Sequence, residues 1–390
     1  SSLSIQSALD SQLEKFTPVD VNLYKTAYLP ESYVSSYSGK TIYNTEEQIE
    51  DSRHPVSYTL ETNGYDMNNL KDIVEIPIYA IPEWTMKTSL GDYSEKAMQQ
   101  FSMLAYDTPE TVIKISDYNK VAALYGNEQY SLNDDEYMVL CDFEQMIDLR
   151  NEALKQNSNI EINGKTYHAK YKECKDGFVL MSTSNMNAGI ILVPDNFEIK
   201  KENTEQYFLA ANYNAETEEE KIELNNVLAG EVDSELFDNL SEKEINLEGM
   251  TKISLTEASK GLSTIIIFIA IYLGIVFLIA SSAILALKQL TESSDNKQRY
   301  TILRKIGCDE KMINQALFRQ IFIFFMMPLT LAIVHSIFGI KFILSMLAAL
   351  ASPDELLPSI IVTAVIIGAI YGLYFLATYF GSKNIIKEEE

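Results

Sequence analysis

The residues best able to do chemistry in this sequence are three histidines and three cysteines, and their spacing argues against most of it. His54, His168 and His335 lie far apart, with no His-x-x-x-His or Cys-x-x-Cys spacing to gather metal ligands. No Gly-x-Ser-x-Gly turn presents a nucleophilic serine, and no Gly-x-x-x-x-Gly-Lys loop cradles a phosphate. Carboxylates are so numerous that pairing two of them as acid and base selects nothing. The sequence therefore offers no catalytic residue, no metal site and no cofactor site, and the chain is not expected to be an enzyme. Cys141 and Cys174 could pair as a disulfide or stand as two free thiols, and spacing does not decide between these.

The distribution of charge and apolar residues says more. The 390 residues carry 31 Lys and Arg against 55 Asp and Glu, a net charge of −24, which excludes a nucleic-acid binder that needs a basic face. Residues 1–260 hold 46 acidic and 21 basic side chains, whereas residues 261–390 hold 9 and 10. The second part also holds three apolar runs long enough for a bilayer core about 30 Å thick. They fall at about 262–287, 319–340 and 359–381, the uncharged stretch of the second beginning at Ile321. Buried helices of a soluble core are usually shorter and keep a polar stripe.

Orientation is expected from the short loops. Residues 288–318 and the adjoining Arg319 carry Lys288, Lys297, Arg299, Arg304, Lys305, Lys311 and Arg319, which predicts a cytoplasmic loop. The connection after the second span has Lys341, Asp354 and Glu355, and its Ser-Pro-Asp-Glu-Leu-Leu-Pro turn is expected outside. Residues 1–258 are then extracellular, residues 259–390 form the transmembrane domain in the plasma membrane, and the C-terminal tail with Lys383 and Lys387 is cytoplasmic. The chain begins at Ser1 with no basic-then-apolar leader, so a preceding transmembrane part is expected to be absent from it. Ser4–Phe16 reads as an amphipathic helix ended by Thr17-Pro18.

The fold class expected is an α+β extracellular domain joined to an all-α domain of three membrane helices. Val56–Glu61, Ile73–Ala80 and Thr111–Ser116 have strand composition. Asp117 is positioned to cap a helix running to Tyr125 and stopped by Gly126. Ser131–Asp135 reads as a turn, Tyr137–Cys141 as a strand and Phe143–Gln156 as a helix. Strands follow at Ile160–Ile162, Thr166–Tyr171, Phe178–Met181 and Gly189–Val193, with Asn163-Gly164 as a tight hairpin turn. Glu216–Leu228 reads as a charged helix. Eighteen of the 23 tyrosines lie in this acidic part. Such a surface suits cationic amphipathic ligands, although a solvated acidic surface with tyrosine in core and rim is the favoured explanation of the composition.

The segment from the first span through the second carries a resemblance. It contains Ala286–Leu290 (ALKQL), Asp295-Asn296, Arg299-Tyr300, Leu303–Gly307 (LRKIG), Pro328 and Ala332–Ser336 (AIVHS). In this order and placement it resembles the C-terminal core of the FtsX-like permease family of ABC transporters. It is most similar to the bacitracin or antimicrobial-peptide type of low-GC Gram-positive bacteria. The match is firm over the last 130 residues. It is looser in the first part, where Ile115–Gly126 (ISDYNKVAALYG) and Leu132–Tyr137 (LNDDEY) are similar to large members. The resemblance implies a ten-span permease with its large ectodomain between spans seven and eight.

The resemblance further implies a permease subunit coupling a separate cytoplasmic ABC ATPase, acting as a dimer, to the extracellular domain. Its role would be export, resistance or sensing of an antimicrobial peptide or lipid-linked ligand. Membrane lipid and a sensor histidine kinase are the other implied partners. The alternatives are an FtsX-type mechanotransmitter regulating cell-wall hydrolases, which a 260-residue ectodomain disfavours, and a membrane-anchored receptor without transport. The residues expected to couple to the ATPase are Arg299, Tyr300, Leu303, Arg304, Lys305 and Gly307. Tyr300, Leu303 and Ile306 are expected on one helical face, with the basic residues elsewhere; basic residues that merely enforce topology and meet anionic lipid are an equally physical alternative. Gly274 and the Gly368-x-x-x-Gly372 pair are expected to allow close helix approach. Pro328 is expected to kink the second span. His335 should find an interhelical hydrogen bond, with a proton relay as the alternative.

Overall fold

The structure is a computed structural model that describes residues 10–35, 37–100, 105–347 and 353–387. The chain divides into two compact units, one of Gln12–Ser259 and one built on Lys260–Glu390. The first is α+β and the second is all helical.

In the first unit the strands are β1 (Val21–Thr26), β2 (Ser32–Val34), β3 (Thr41–Tyr43), β4 (Leu70–Thr85) and β5 (Pro109–Lys114). They continue as β6 (Glu136–Leu140), β7 (Asn159–Ile162), β8 (Lys165–Ala169), β9 (Ile190–Val193), β10 (Thr204–Tyr213) and β11 (Glu248–Thr251). Nine of these form one mixed sheet in the order β11-β1-β10-β4-β5-β9-β6-β8-β7, and β2 and β3 make a separate hairpin. The β5–β9 and β6–β8 pairings are parallel and the others antiparallel.

Alternation along the strands sends side chains to two covered faces. Ile113, Met138, Leu140, Leu192, Phe208 and Ala210 pack with the helix Ile115–Tyr125 on one face. Val112, Tyr137, Val139, Ile191 and Val193 meet Trp84 and Phe197 on the other. Toward the β1 edge, Val21, Leu23, Leu209 and Ala211 are covered by the helices Val56–Thr62, Glu218–Leu228 and Glu235–Glu242. All four residues of β9 are buried, as a strand covered on both faces requires.

Most expected elements are present, and three readings are corrected. Val56–Thr62 is a helix rather than a strand. Pro55 stands at its N-cap, and Val56, Thr59 and Leu60 share the buried face, so helical spacing overrides β-branched composition. Phe178–Met181 is not in a strand; side chains hold it instead. The helix expected to be capped by Asp117 begins at Ile115, and Asp117 sits in its first turn, paired with Lys120 at 2.7 Å. Gly126 ends that helix with φ of 72°, as expected. Asn163 and Gly164 both take positive φ, 53° and 74°, and close the β7–β8 hairpin. Residues 10–16 are helical, and the earlier part of the helix read from Ser4 lies outside the described residues.

The second unit has long helices at Lys252–Asp295, Glu310–Leu347 and Pro353–Ile386, with a short helix Lys297–Lys305 between the first two; the first long helix starts within the α+β unit. Three segments are long and apolar enough to cross a membrane: Tyr272–Asp295, Glu310–Gly339 and Ile361–Ile386. The helices outrun the expected spans because their polar flanks, such as Lys288–Asp295, contain good helix formers and no Gly or Pro. The expected turn before the third span is also shorter, since helix begins at Pro353. Phe318, Phe325, Tyr371 and Phe375 form an edge-to-face aromatic seam between the second and third long helices. Large apolar side chains such as Phe268, Phe277, Val365 and Leu373 stand exposed on the helices, as lipid-facing residues do.

Candidate functional site

Two places gather residues with something to do, one in each unit. The first is the segment joining the first two long helices. Asn296 leads into Lys297–Lys305, Gly307 turns the chain with φ of 94°, and Glu310 opens the next helix. A left-handed φ favours glycine, because a Cβ there meets the backbone carbonyl.

The helix presents two faces, but not the two expected. Tyr300 is buried against Ile313, Leu317 and Ile386. Its Oη donates to Gln320 Oε1 at 3.3 Å, and Gln320 Nε2 donates to Glu292 Oε1 at 2.9 Å. Arg304, four residues on and so on the same face, pairs with Glu310, and its Nη1 donates to the Ile386 carbonyl at 2.8 Å. Leu303 and Ile306 do not join Tyr300. They are exposed together with Ile302, Arg299 and Lys305, and Ile306 is 72% exposed. Helix geometry brings both Leu303 and Arg304 near the face of Tyr300, and it is Arg304 that turns inward because Glu310 and the Ile386 carbonyl offer it partners. Tyr300 and Arg304 lock the segment to the helix bundle, while an apolar patch with two cations faces outward.

The other expected helix-packing residues are placed differently. A Cβ built on Gly274, Gly368 or Gly372 meets nothing within 4 Å, so no described helix packs closely on them. His335 Nδ1 bonds to the Leu331 carbonyl of its own helix at 3.0 Å rather than to another helix. Pro328 lies inside the second long helix. In the turn just before it, Tyr371 Oη donates to the Phe325 carbonyl at 2.9 Å, next to the Phe324 carbonyl whose helical donor Pro328 removes.

The second place is a cleft of about 550 Å³ in the α+β unit. Ile78, Phe178, Met181, Met186 and Met250 supply its apolar walls, and Asp142 and Glu205 its charges. Asp142 follows the end of β6 and is 3% exposed. Its Oδ1 accepts from the Asn187 backbone N–H at 2.8 Å. Burial pushes its carboxyl up to about 6, and nearby Asp176 adds to the shift. Asn187 also donates through Nδ2 to the carbonyls of Leu140 and Gly177, so one side chain ties three segments around the acid. Nothing in the sequence singles out Asp142 from the other 45 acidic residues of residues 1–260.

The cleft wall at 178–181 is held by a side-chain relay. Tyr125 Oη donates to the Val179 carbonyl at 2.6 Å and accepts from Asn22 Nδ2 at 3.0 Å. Asn22 Oδ1 accepts from the Met181 N–H at 2.7 Å. Removing the Tyr125 hydroxyl takes from the buried Val179 carbonyl its donor and from Asn22 Nδ2 the shorter of its two bonds, the other going to the Val21 carbonyl at 3.3 Å. Tyr125→Phe is therefore expected to lower unfolding free energy by about 1–3 kcal/mol. Faster amide exchange at Val179–Met181 than at β9 would accompany it, and equal exchange in wild type and variant would refute the relay. Cys141 and Cys174 are both free thiols, and no group of three or more metal-ligating side chains occurs among the described residues.

With this geometry in hand, comparison with known proteins is informative. Residues 271–389 match the family described as FtsX-like permease C-terminal. The chain is 30% identical over 158 residues to the bacitracin export permease protein BceB of Bacillus subtilis, a match covering 40% of this chain and 23% of that protein. The protein of the same name from Halalkalibacterium halodurans is 30% identical over 138 residues, covering 35% and 20%. An uncharacterized ABC transporter permease of B. subtilis, YvcS, is 22% identical over 273 residues, covering 69% of this chain and 39% of its own length. The matched stretches thus span between a fifth and two fifths of these relatives.

Proposed function

The chain carries an FtsX-like permease domain at its C-terminus, and we propose that it works as the permease subunit of an ABC transporter driven by a separate ATPase. The observation that carries this reading is the short helix Lys297–Lys305. Its inward face is fixed by Tyr300 and Arg304, and its outward face offers Ile302, Leu303 and Ile306 beside Arg299 and Lys305. An exposed apolar patch flanked by cations is what a groove on a soluble partner can seize. A push on it passes to the second and third long helices through the Arg304–Glu310 and Arg304–Ile386 contacts. The seven basic residues of this region support a cytoplasmic side for it, with the α+β unit outside and the C-terminal tail inside.

The α+β unit then receives the ligand. Two of the relatives are named for bacitracin export. An acidic apolar cleft fits a cationic peptide or a lipid-linked ligand with exposed apolar groups, and a sensor histidine kinase is a further partner of such a system. ATP-driven closure of an ATPase dimer would alter the membrane helices and change the capture or release of that ligand.

Pull-down of the full chain from native membranes is expected to recover a nucleotide-binding ATPase. Lys305→Glu combined with Ile306→Ser, both exposed and without a structural bond to break, should reduce that recovery about tenfold or more, about 1.4 kcal/mol. Unchanged recovery by a variant of wild-type helicity would remove the docking role.

A further inference from the structure

Cys141 directly follows β6 and is 3% exposed, whereas Cys174 lies in an irregular segment and is partly accessible. The backbone brings them together. The Cys141 N–H donates to the Lys175 carbonyl at 3.1 Å, and the Lys175 N–H donates to the Val139 carbonyl at 2.9 Å. From the other side, Asn151 Oδ1 accepts from the Cys174 N–H at 2.7 Å. Cys141 and Cys174 flank the parallel bridge Leu140↔Lys175, and Cys174 packs on the apolar cluster that contains Cys141. The buried guanidinium of Arg150 adjoins them both.

We propose that Cys141 and Cys174 are an oxidisable dithiol, converted to an intramolecular disulfide by exchange with a small-molecule or protein disulfide. Cys174, the accessible sulfur, attacks one sulfur of the oxidant RSSR. An S–S bond forms between Cys174 and R while the oxidant's S–S bond breaks and releases RS⁻. Cys141 as thiolate then attacks the Cys174 sulfur, forms the Cys141–Cys174 bond and expels the second RS⁻. The two thiol protons end on two RSH, so the protein loses two hydrogens and two electrons and RSSR gains them. Cys174 attacks first because it is the accessible sulfur, although Cys141 and then burial push its titration up; Cys141, drawn down by Cys174 and to a smaller extent by Arg150, suits the resolving thiolate of the second step.

The resulting cross-link would close a loop of about 34 residues. That loop contains Asp142, the helix Glu144–Gln156 and the β7–β8 hairpin, so oxidation would brace the side of the cleft that holds the acid. The inference rests on the backbone pairing and packing that bring the two thiols together and not on the transport reading.

The test uses the full chain in detergent with oxidised glutathione, followed by alkylation and peptide mass spectrometry without reduction. The expected product joins the Cys141 and Cys174 peptides and leaves Cys308 alkylated. Dithiothreitol should reverse it and lower the melting temperature of the α+β unit by on the order of 5–10 °C. Cys141→Ser should accumulate the glutathione mixed disulfide at Cys174, and Cys174→Ser should leave Cys141 a free thiol. The proposal fails if both wild-type thiols remain alkylatable, if glutathione stays on either sulfur, or if Cys308 is the partner.

Discussion

Replacing Arg150 by methionine should lower the unfolding free energy of the α+β unit by about 3–5 kcal/mol, the largest effect expected of any single substitution here. Arg150 lies on the helix Glu144–Gln156 with its side chain 2% exposed. Its Nη1 and Nη2 donate to the two carboxylate oxygens of Glu110 at 3.0 and 3.1 Å, a bidentate pair, and its Nε donates to the Ala188 carbonyl. Glu110, on β5, is as dry as its partner. Burial alone would draw the guanidinium's proton affinity down, yet the net direction is upward because Glu110 outweighs it. Methionine keeps much of the volume and removes the charge. Glu110 is then left as an uncompensated buried carboxylate that must protonate or be hydrated, and either is costly.

The same reasoning predicts the rescue. Glu110→Gln in the Arg150→Met background removes the stranded charge and should recover more than half of the loss, because an absent ion pair costs less than a broken one. Arg150→Lys should not recover it, since an ammonium cannot make the two parallel bonds. Trp84 is the protein's one tryptophan, fully buried on β4 and edge-on to Tyr137 at 5.3 Å. Its fluorescence in urea therefore reports this unit alone in the full chain. A midpoint for Arg150→Met equal to wild type would refute the assignment. Gly189 belongs to the same construction: a Cβ there would stand 2.1 Å from Arg150 Nη2, and its φ of 154° is one L side chains rarely adopt.

How far the sequence foretold this arrangement depended on whether a signal was local. The Gly126 stop and the Asn163-Gly164 turn depend on neighbours in the chain, and each stands where it was read, while the charge-free runs lie within longer helices. Val56–Thr62 misled because composition cannot see that Val56, Thr59 and Leu60 face one core. The helix Lys297–Lys305 was legible as a helix, but its facing was not. Arg304 turned inward because Glu310 and the distant Ile386 carbonyl wait there. The cleft was invisible for the same reason at longer range. Asn22 and Met181 are 159 positions apart, and Arg150 and Glu110 are 40 apart. One sequence gives no means of joining such pairs, and an acidic chain hides one buried carboxylate among many exposed ones.

That buried carboxylate gives the second large effect. Asp142 has a folded-state pKa of about 6 against 3.8 for the free side chain. The folded state therefore holds its proton more tightly than the unfolded state. The stability from this group is fully present below pH 3.8 and is lost as pH rises through about 6. A shift of about two pH units corresponds to about 3 kcal/mol. The wild type should thus be stabilised relative to Asp142→Asn on going from pH 7.5 to pH 5 by about 1.4 kcal/mol, roughly half of the full effect, read as the difference between their Trp84 urea transitions. Parallel pH dependence of the two proteins would mean that the carboxyl is not desolvated. The cost of burying the ionised form also bears on the proposed ligand. A cation seated in the cleft would add to the weak counter-charge of Lys15 and recover much of that cost, so binding should favour the ionised carboxylate. Calorimetry with a cationic peptide at low salt should show affinity rising as pH increases through 6 in the wild type, and no such rise in Asp142→Asn. Glu205, exposed at the mouth of the same cleft, should contribute chiefly to the salt dependence of the approach, because a solvated charge is screened and a buried one is not.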